Sequence, residues 1–120
     1  MGNKRGQSIS KTKKVKRSTL MHKADALVSK AVRASGKCFR CMSQTQLTAA
    51  HIIRRNYRAV RFDLDNLICL CWSCHNYFNY RELEWREYID KCFPGRWDKL
   101  KDKALNGIPP SYEEVIEQFS

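Results

Sequence analysis

The spacing of apolar residues predicts one long helix in the first third of the chain. Apolar side chains recur every three or four residues between Ser18, which can cap a helix, and Gly36, which can end it. The residues of this stripe are Leu20, Ala24, Leu27, Val28, Ala31 and Val32. A stripe of this kind packs against a core, and the basic residues between its members lie off it.

Two short apolar runs in the middle of the chain predict a pair of strands followed by a helix. The runs are residues 47–53 and 67–71, and residues 72–80 are predicted to continue as the helix. Between the strands, an arginine-rich stretch is predicted to be a loop, and Asp63 to Asn66 has the chemistry of a turn.

Residues 81–120 predict three further helices that pack around this centre. Pro94-Gly95 breaks the first of them, and Asn106-Gly107 stops the second. The third begins at Ser111 with Glu114 three residues later, which is the capping-box pattern. The pattern as a whole indicates a single α+β domain.

Two Cys-x-x-Cys pairs predict a structural zinc site. The pairs are Cys38-Phe-Arg-Cys41 and Cys71-Trp-Ser-Cys74, and four thiolates close the tetrahedral shell of zinc. The segment between them exceeds the usual spacer of about 15–20 residues, so it has room for a functional insert. Cys69 competes with Cys71 for the fourth position, and the spacing favours Cys71. Paired cysteines without a signal-peptide pattern favour reduced thiolates in a cytosol over a disulfide scaffold.

Positive charge is concentrated in the first two thirds of the chain. The net charge is +11, and residues 1–37 carry eleven Lys and Arg against Asp25 alone. This asymmetry predicts a polyanionic partner, for which nucleic acid fits best, and no apolar run suggests a membrane partner. Residues 1–17 are predicted to be a disordered basic arm that contacts phosphates. The phosphate contacts assigned to it are Lys11, Lys13, Lys14, Lys16 and Arg17.

Polar residues in the central stretch predict a site that hydrolyses a phosphodiester. His75 and Asn79 lie four residues apart and share a helix face, which suits two ligands of a second metal ion. His51, on the first strand, can take a proton from water near neutral pH. A hard divalent ion would stabilise charge on the leaving oxygen. Arginines after the first strand are predicted to bind DNA phosphates: Arg54, Arg55, Arg58 and Arg61.

Taken together, His51, Asn66 and His75, set among two CxxC pairs, resemble the HNH endonuclease motif on a ββα-metal fold. The stretch HIIRRNYRAVRFDLDNLICLCWSCHNYF is also similar to the phage NinG/Rap group of recombination nucleases. That group shares an aromatic-and-basic loop, an Arg-aromatic-Asp-x-Asp-Asn run and a Cys-x-x-Cys-His or Cys-x-x-Cys-Asn ending. The resemblance covers about residues 35–80.

The resemblance implies a small zinc-stapled ββα-metal core, HNH or treble-clef-like, with flanking α-helices. The nuclease core with its N-terminal helix would occupy residues 18–93, and residues 94–120 would form a C-terminal helical extension. It implies that His51 is the general base and that Asn66 braces the loop and orients His51. It also implies that His75 and Asn79 bind a catalytic Mg²⁺ or Mn²⁺, and that cleavage leaves a 5′-phosphate and a 3′-hydroxyl.

Ala50 departs from the pattern of the family. Many HNH enzymes carry Asp or His at this position, directly before the general base, as a further metal ligand. A small residue there is compatible with the NinG-like group. Water or a carboxylate, from Glu82 or Glu84, would be the alternative donor.

We therefore predict a metal-dependent DNA endonuclease, phage-encoded and acting in the host cytoplasm. Its substrate would be branched recombination intermediates or, more generally, duplex DNA that it nicks. Two other interpretations remain open, namely a non-catalytic zinc-binding nucleic-acid module and an adaptor protein of a phage assembly. A homodimer or a phage protein partner is compatible with the sequence, which carries no dimer signature.

Overall fold

The computed structural model describes residues 16–120, which form a two-stranded sheet surrounded by helices. Lys11, Lys13 and Lys14 of the predicted basic arm lie outside the described residues. No helix among residues 16–120 is long and apolar enough to cross a bilayer.

The predicted first helix is confirmed as α1 (Arg17–Arg33), which begins one residue earlier than expected. Its apolar stripe buries Ala24 and Val28 completely or nearly so. The helix ends at Arg33 and is capped by Ala34, and Gly36 follows with a φ of 77°, a left-handed conformation that glycine adopts without strain. Arg17, assigned to the basic arm, is therefore the first residue of a helix.

The two strands, β1 (Leu47–His51) and β2 (Leu67–Cys71), pair in antiparallel fashion. Leu47 is opposite Cys71 at one end of the sheet, and His51 is opposite Leu67 at the other. The prediction of a strand through residue 53 is wrong by two residues. The pairing does not extend to residue 53, because the backbone N–H of Ile53 donates to the side chain of a buried asparagine, described below.

The segment between the strands contains more helix than the sequence suggested. The arginine-rich stretch, predicted to be a loop, includes a short helix α2 (Arg58–Arg61) whose Ala59 and Val60 are buried. The predicted turn is a single 3₁₀ turn (Leu64–Asn66), and the Asp63 side chain caps it by accepting a hydrogen bond from the backbone of Asp65.

Four helices complete the chain: α3 (Trp72–Asn79), α4 (Glu82–Cys92), α5 (Arg96–Asn106) and α6 (Tyr112–Phe119). Their predicted bounds are confirmed to within a residue or two. Gly95, with a φ of 81°, makes the sharp turn before α5. The capping box at the start of α6 is confirmed, because Ser111 and Glu114 each bond to the other's backbone.

Two apolar clusters hold these elements together. The central cluster joins the sheet to α3, α4 and α5, and its largest members include Leu70, Ile89, Phe78 and Leu100. The side cluster joins α1 to α6 and also includes residues from the segment between the strands and the start of β2. Its members are Ala24, Val28, Phe62, Leu67, Tyr112 and Val115. The mixed helix-and-sheet architecture agrees with the predicted α+β class.

Candidate metal centre and active site

The four cysteines predicted to bind zinc meet at one point of the structure. The sulfur atoms of Cys38, Cys41, Cys71 and Cys74 all lie within 4.8 Å of one another. Sulfurs bound to one tetrahedral zinc at 2.3 Å would be separated by about 3.8 Å, so this spacing suits zinc. Cys71, which the spacing favours over Cys69, belongs to the cluster, and Cys69 does not.

Local backbone geometry brings the first cysteine pair to the sheet. The backbone N–H of Cys38 donates to the carbonyl oxygen of Ser43, and that of Met42 donates to Cys38, which closes a tight knuckle. The N–H of Phe39 donates to the carbonyl of Cys69, which ties the knuckle to β2. The cluster therefore joins the knuckle to the junction between β2 and α3.

The environment of the thiols differs from one cysteine to the next. Burial would raise the pKa of Cys38, but hydrogen bonds from the backbone of Cys71, Cys41 and Arg40 lower it to about 6. The Arg40 guanidinium lies 3.5 Å from the sulfur of Cys74. A thiolate is the form that binds zinc, so Cys38 is prepared for a metal ligand's role.

A large cleft borders the central apolar cluster. Its volume is about 710 Å³, and it is lined by His51, His75 and Asn79 together with Arg54 and Glu82. His51 comes from the end of β1, whereas His75 and Asn79 come from one face of α3. The structure thus brings together three of the residues predicted to do chemistry. Nitrogen and oxygen donors of this kind fit Mn²⁺ or Mg²⁺.

The hydrogen bond made by His51 fixes which of its ring nitrogens is free. Nε2 lies 3.0 Å from the backbone carbonyl oxygen of Arg61. Because a carbonyl can only accept, Nε2 carries the hydrogen, and the neutral ring keeps its lone pair on Nδ1. Burial is the main reason that the pKa of His51 is lowered. The ring is therefore neutral at pH 7 and has a nitrogen able to accept a proton.

Asn66 is the last residue of the 3₁₀ turn before β2, and its side chain is completely buried. Its Oδ1 accepts from the backbone N–H of Ile53 at 2.7 Å, and its Nδ2 donates to the carbonyls of Ile53 and Val60, both at 3.0 Å. These three bonds close the segment between the strands onto itself. They use both Nδ2 hydrogens and one lone pair of Oδ1, so the side chain is committed to the backbone around it.

Residues 38–80 match the HNH endonuclease family. No curated protein and no solved structure matches the chain. The matched HNH segment contains the four clustered cysteines and all of the cleft residues that come from β1 and α3. The match supports placing this segment in the HNH superfamily, and it supports a nuclease activity in general terms.

Ala50, the departure from the HNH pattern, is buried in β1 next to His51. Of the two carboxylates considered as substitutes, Glu82 lines the cleft. Glu84 instead accepts a hydrogen bond from the hydroxyl of Tyr77 at 2.5 Å. Glu82 is therefore the better placed donor, and it is the single carboxylate among the described residues that line the cleft.

The arginines of the HNH segment have unequal surroundings. Arg54 and Arg55 are exposed, and Arg54 pairs with Glu82 at 3.1 Å. Arg58 is exposed and lies over the ring of Tyr112, 4.6 Å from its centre. Lys16 and Arg17, at the start of α1, are also exposed.

Arg61 is the exception, because its guanidinium is committed to a structural ion pair. Its Nε and one terminal nitrogen bond both carboxylate oxygens of Asp25 on α1, at 2.9 and 2.6 Å. The Arg61 side chain is only 10% exposed. The backbone of this same residue accepts the hydrogen bond from His51, so Asp25 anchors the segment that orients His51. Sequence reasoning missed Asp25 because the partners are far apart in the chain.

Replacing Asp25 with alanine should lower the free energy of unfolding by about 3 kcal/mol, because a largely buried guanidinium loses its partner. Urea denaturation monitored by circular dichroism would measure the change. The matched control is Glu113→Gln, which removes the exposed partner of Arg17 at 3.4 Å and should cost less than about 1 kcal/mol. Equal effects of the two substitutions would show that the Asp25–Arg61 pair is no anchor.

Proposed function

We propose that this protein is a divalent-metal-dependent endonuclease that hydrolyses phosphodiester bonds in DNA. One observation carries the proposal. His51 is held by Nε2 with Nδ1 free, and it lines the same cleft as His75 and Asn79. A base and a pair of metal ligands in one cleft are the parts that phosphodiester hydrolysis needs.

The proposed roles follow from the hydrogen bonds of each side chain. His51 accepts a proton on Nδ1 from the attacking water, and the Arg61 carbonyl stabilises the resulting imidazolium through Nε2. Asn66 holds the segment that carries this carbonyl, and so acts as a positioning residue. In this role the side chain of Asn66 does not need to contact the substrate.

His75 and Asn79 would hold the Mg²⁺ or Mn²⁺, with Glu82 as a further oxygen donor in place of the residue missing at Ala50. When bound, the ion supplies Lewis-acid stabilisation of the charge that develops on the phosphate and leaving oxygen. The four-cysteine cluster would hold zinc in a purely structural role, since its ligand shell is complete.

Exposed basic residues around the cleft would contact the DNA backbone. Arg54 and Lys101 line the cleft itself, and Arg55 and Arg58 lie exposed on the segment between the strands. Lys16 and Arg17 extend the basic surface from the start of α1. Arg61 is left out of this set, because Asp25 occupies its guanidinium. The resemblance to the phage NinG/Rap group favours branched DNA as the first specialised substrate to test.

A nicking assay on supercoiled plasmid tests the proposal. Zinc-loaded protein should nick the plasmid with Mg²⁺ or Mn²⁺ and should fail to do so in EDTA. The His75→Ala variant should lose about 100-fold or more in rate, because it lacks a ligand of the ion. A matched control is Asn76→Ala, which removes an exposed polar side chain from the next position of α3.

EDTA can also remove zinc from thiolates, so its effect needs a separate control. Circular dichroism in EDTA would show whether the fold persists, and recovery of nicking with Mg²⁺ alone would assign the loss to the second ion. Plasmid that stays intact in every metal while DNA binding is retained would instead favour a non-catalytic nucleic-acid module. The observation that favours this second candidate is the apolar Ala50 beside His51.

A further inference from the structure

A threonine outside the cleft determines how His75 presents its ring. Nδ1 of His75 lies 2.8 Å from the hydroxyl oxygen of Thr48, and the same hydroxyl lies 2.8 Å from the backbone carbonyl oxygen of Leu70. A carbonyl can only accept, so the single hydroxyl hydrogen of Thr48 is donated to Leu70. The hydroxyl must then accept from His75, which places the ring hydrogen on Nδ1.

The two edges of the His75 ring therefore face different surroundings. Thr48 lines a shallow hollow with Leu47, Trp72 and others, and it is absent from the residues that line the cleft. His75 does line the cleft. With Nδ1 committed to Thr48, the lone pair of the neutral ring is on Nε2, the nitrogen left to face a ligand.

The acceptor is held rigidly, because Thr48 and Leu70 are opposite each other in the sheet. Leu70 is fully buried in β2, so solvent does not compete for the carbonyl that fixes the hydroxyl. The chain of bonds runs from the sheet, through Thr48, to α3. The orientation of the His75 ring on α3 is therefore fixed by the sheet.

We propose that Thr48 is a positioning residue for His75, which holds the ring in the tautomer and orientation that present Nε2 to a divalent ion. This inference rests on the proposed function, because it takes His75 to be a ligand of that ion. Histidines that bind metals commonly donate their second ring hydrogen to a fixed acceptor, and losing that acceptor typically lowers metal affinity about 10–100-fold.

The experiment compares Thr48→Val with Thr48→Ser in zinc-loaded protein, with Mn²⁺ as the probe. Valine keeps the β-branched shape and the strand preference but has no hydroxyl, whereas serine keeps the hydroxyl. Isothermal titration calorimetry should show Mn²⁺ affinity lowered about 10–100-fold in Thr48→Val and nearly unchanged in Thr48→Ser. Thermal melting of each variant establishes that the fold is retained.

A second readout needs neither Mn²⁺ nor activity. Long-range ¹H–¹⁵N NMR of the histidine rings, at a pH where His75 is neutral, should show the hydrogen on Nδ1 in the unaltered protein and in Thr48→Ser. Thr48→Val should lose that preference. A ring found with its hydrogen on Nε2 in the unaltered protein would overturn the inference, as would a folded Thr48→Val with unchanged Mn²⁺ affinity.

The His75→Ala variant separates this inference from the proposed function. If His75→Ala binds Mn²⁺ as tightly as the unaltered protein, the proposed metal site is wrong, and Thr48 cannot position a ligand of it. If His75→Ala loses Mn²⁺ binding while Thr48→Val keeps it, the metal site stands and only the role of Thr48 falls.

Discussion

Replacing His51 with alanine should lower the rate of DNA cleavage by about 10²–10⁴-fold, the usual contribution of a general base. The substitution removes Nδ1 of His51, the nitrogen left to accept a proton because a backbone carbonyl holds the other edge of the ring. Binding of DNA should be unchanged, because the base contributes no positive charge in its neutral form. Single-turnover cleavage and fluorescence anisotropy would measure the two quantities separately.

The matched control for this substitution is His22→Ala, which removes an exposed histidine from α1. It should leave both rate and affinity unaltered. A folded His51→Ala protein that cleaves at the normal rate would exclude His51 as the base. Retained fold in both variants can be checked by comparing their melting temperatures.

The same role predicts the direction of the pH dependence. Burial lowers the pKa of His51 below the ordinary histidine value, which is about 6.5. Only the neutral ring can accept a proton, so the cleavage rate should fall as the pH drops through this lowered pKa. It should be nearly constant above about pH 6.5, until another group titrates. A rate that rises towards acid would contradict the assignment.

Replacing Cys38 with serine should unfold the central part of the molecule. Structural zinc in small domains contributes an apparent free energy of about 10–16 kcal/mol, comparable to or greater than the total stability of about 5–15 kcal/mol for a typical protein. Cys38 is completely buried, so a water molecule cannot easily take the place of its sulfur as a zinc ligand. Circular dichroism and a zinc assay on the purified protein would measure the loss.

Cys92→Ser provides the matched control, since Cys92 lies outside the four-sulfur cluster and is half-buried. It should keep one zinc per chain and a nearly normal melting temperature. If Cys38→Ser instead melts like the unaltered protein, the cluster contributes nothing to folding. A normal zinc content in that variant would indicate a different ligand set.

The elements that the sequence predicted well are those set by local patterns. The capping box at Ser111, the stop at Gly95 and the bounds of β2 all depend on residues close together in the chain. The CxxC spacing likewise selected Cys71 rather than Cys69. In each case the information needed to make the prediction lies within one or two turns of chain.

The predictions that went wrong depended on contacts between distant residues. The first strand does not reach residue 53, because the Asn66 side chain accepts the backbone N–H of Ile53. Arg61 looks like its neighbours in sequence, yet it is buried because Asp25 reaches it from α1. The Thr48–His75 contact was missed for the same reason, since only the finished hairpin places β1 beside α3.

The closure of α1 against α6 bears on how the protein is made. Tyr112 and Val115 of α6 cover the apolar face of α1 together with Phe62 and Leu67. The ribosome synthesises the whole HNH segment, and then α4 and α5, before α6 exists, which takes a few seconds at ordinary rates of translation. During that interval α1 lacks its cover, so the helix whose Asp25 anchors Arg61 is incompletely held. The support behind His51 is therefore completed only after the whole HNH segment has been synthesised.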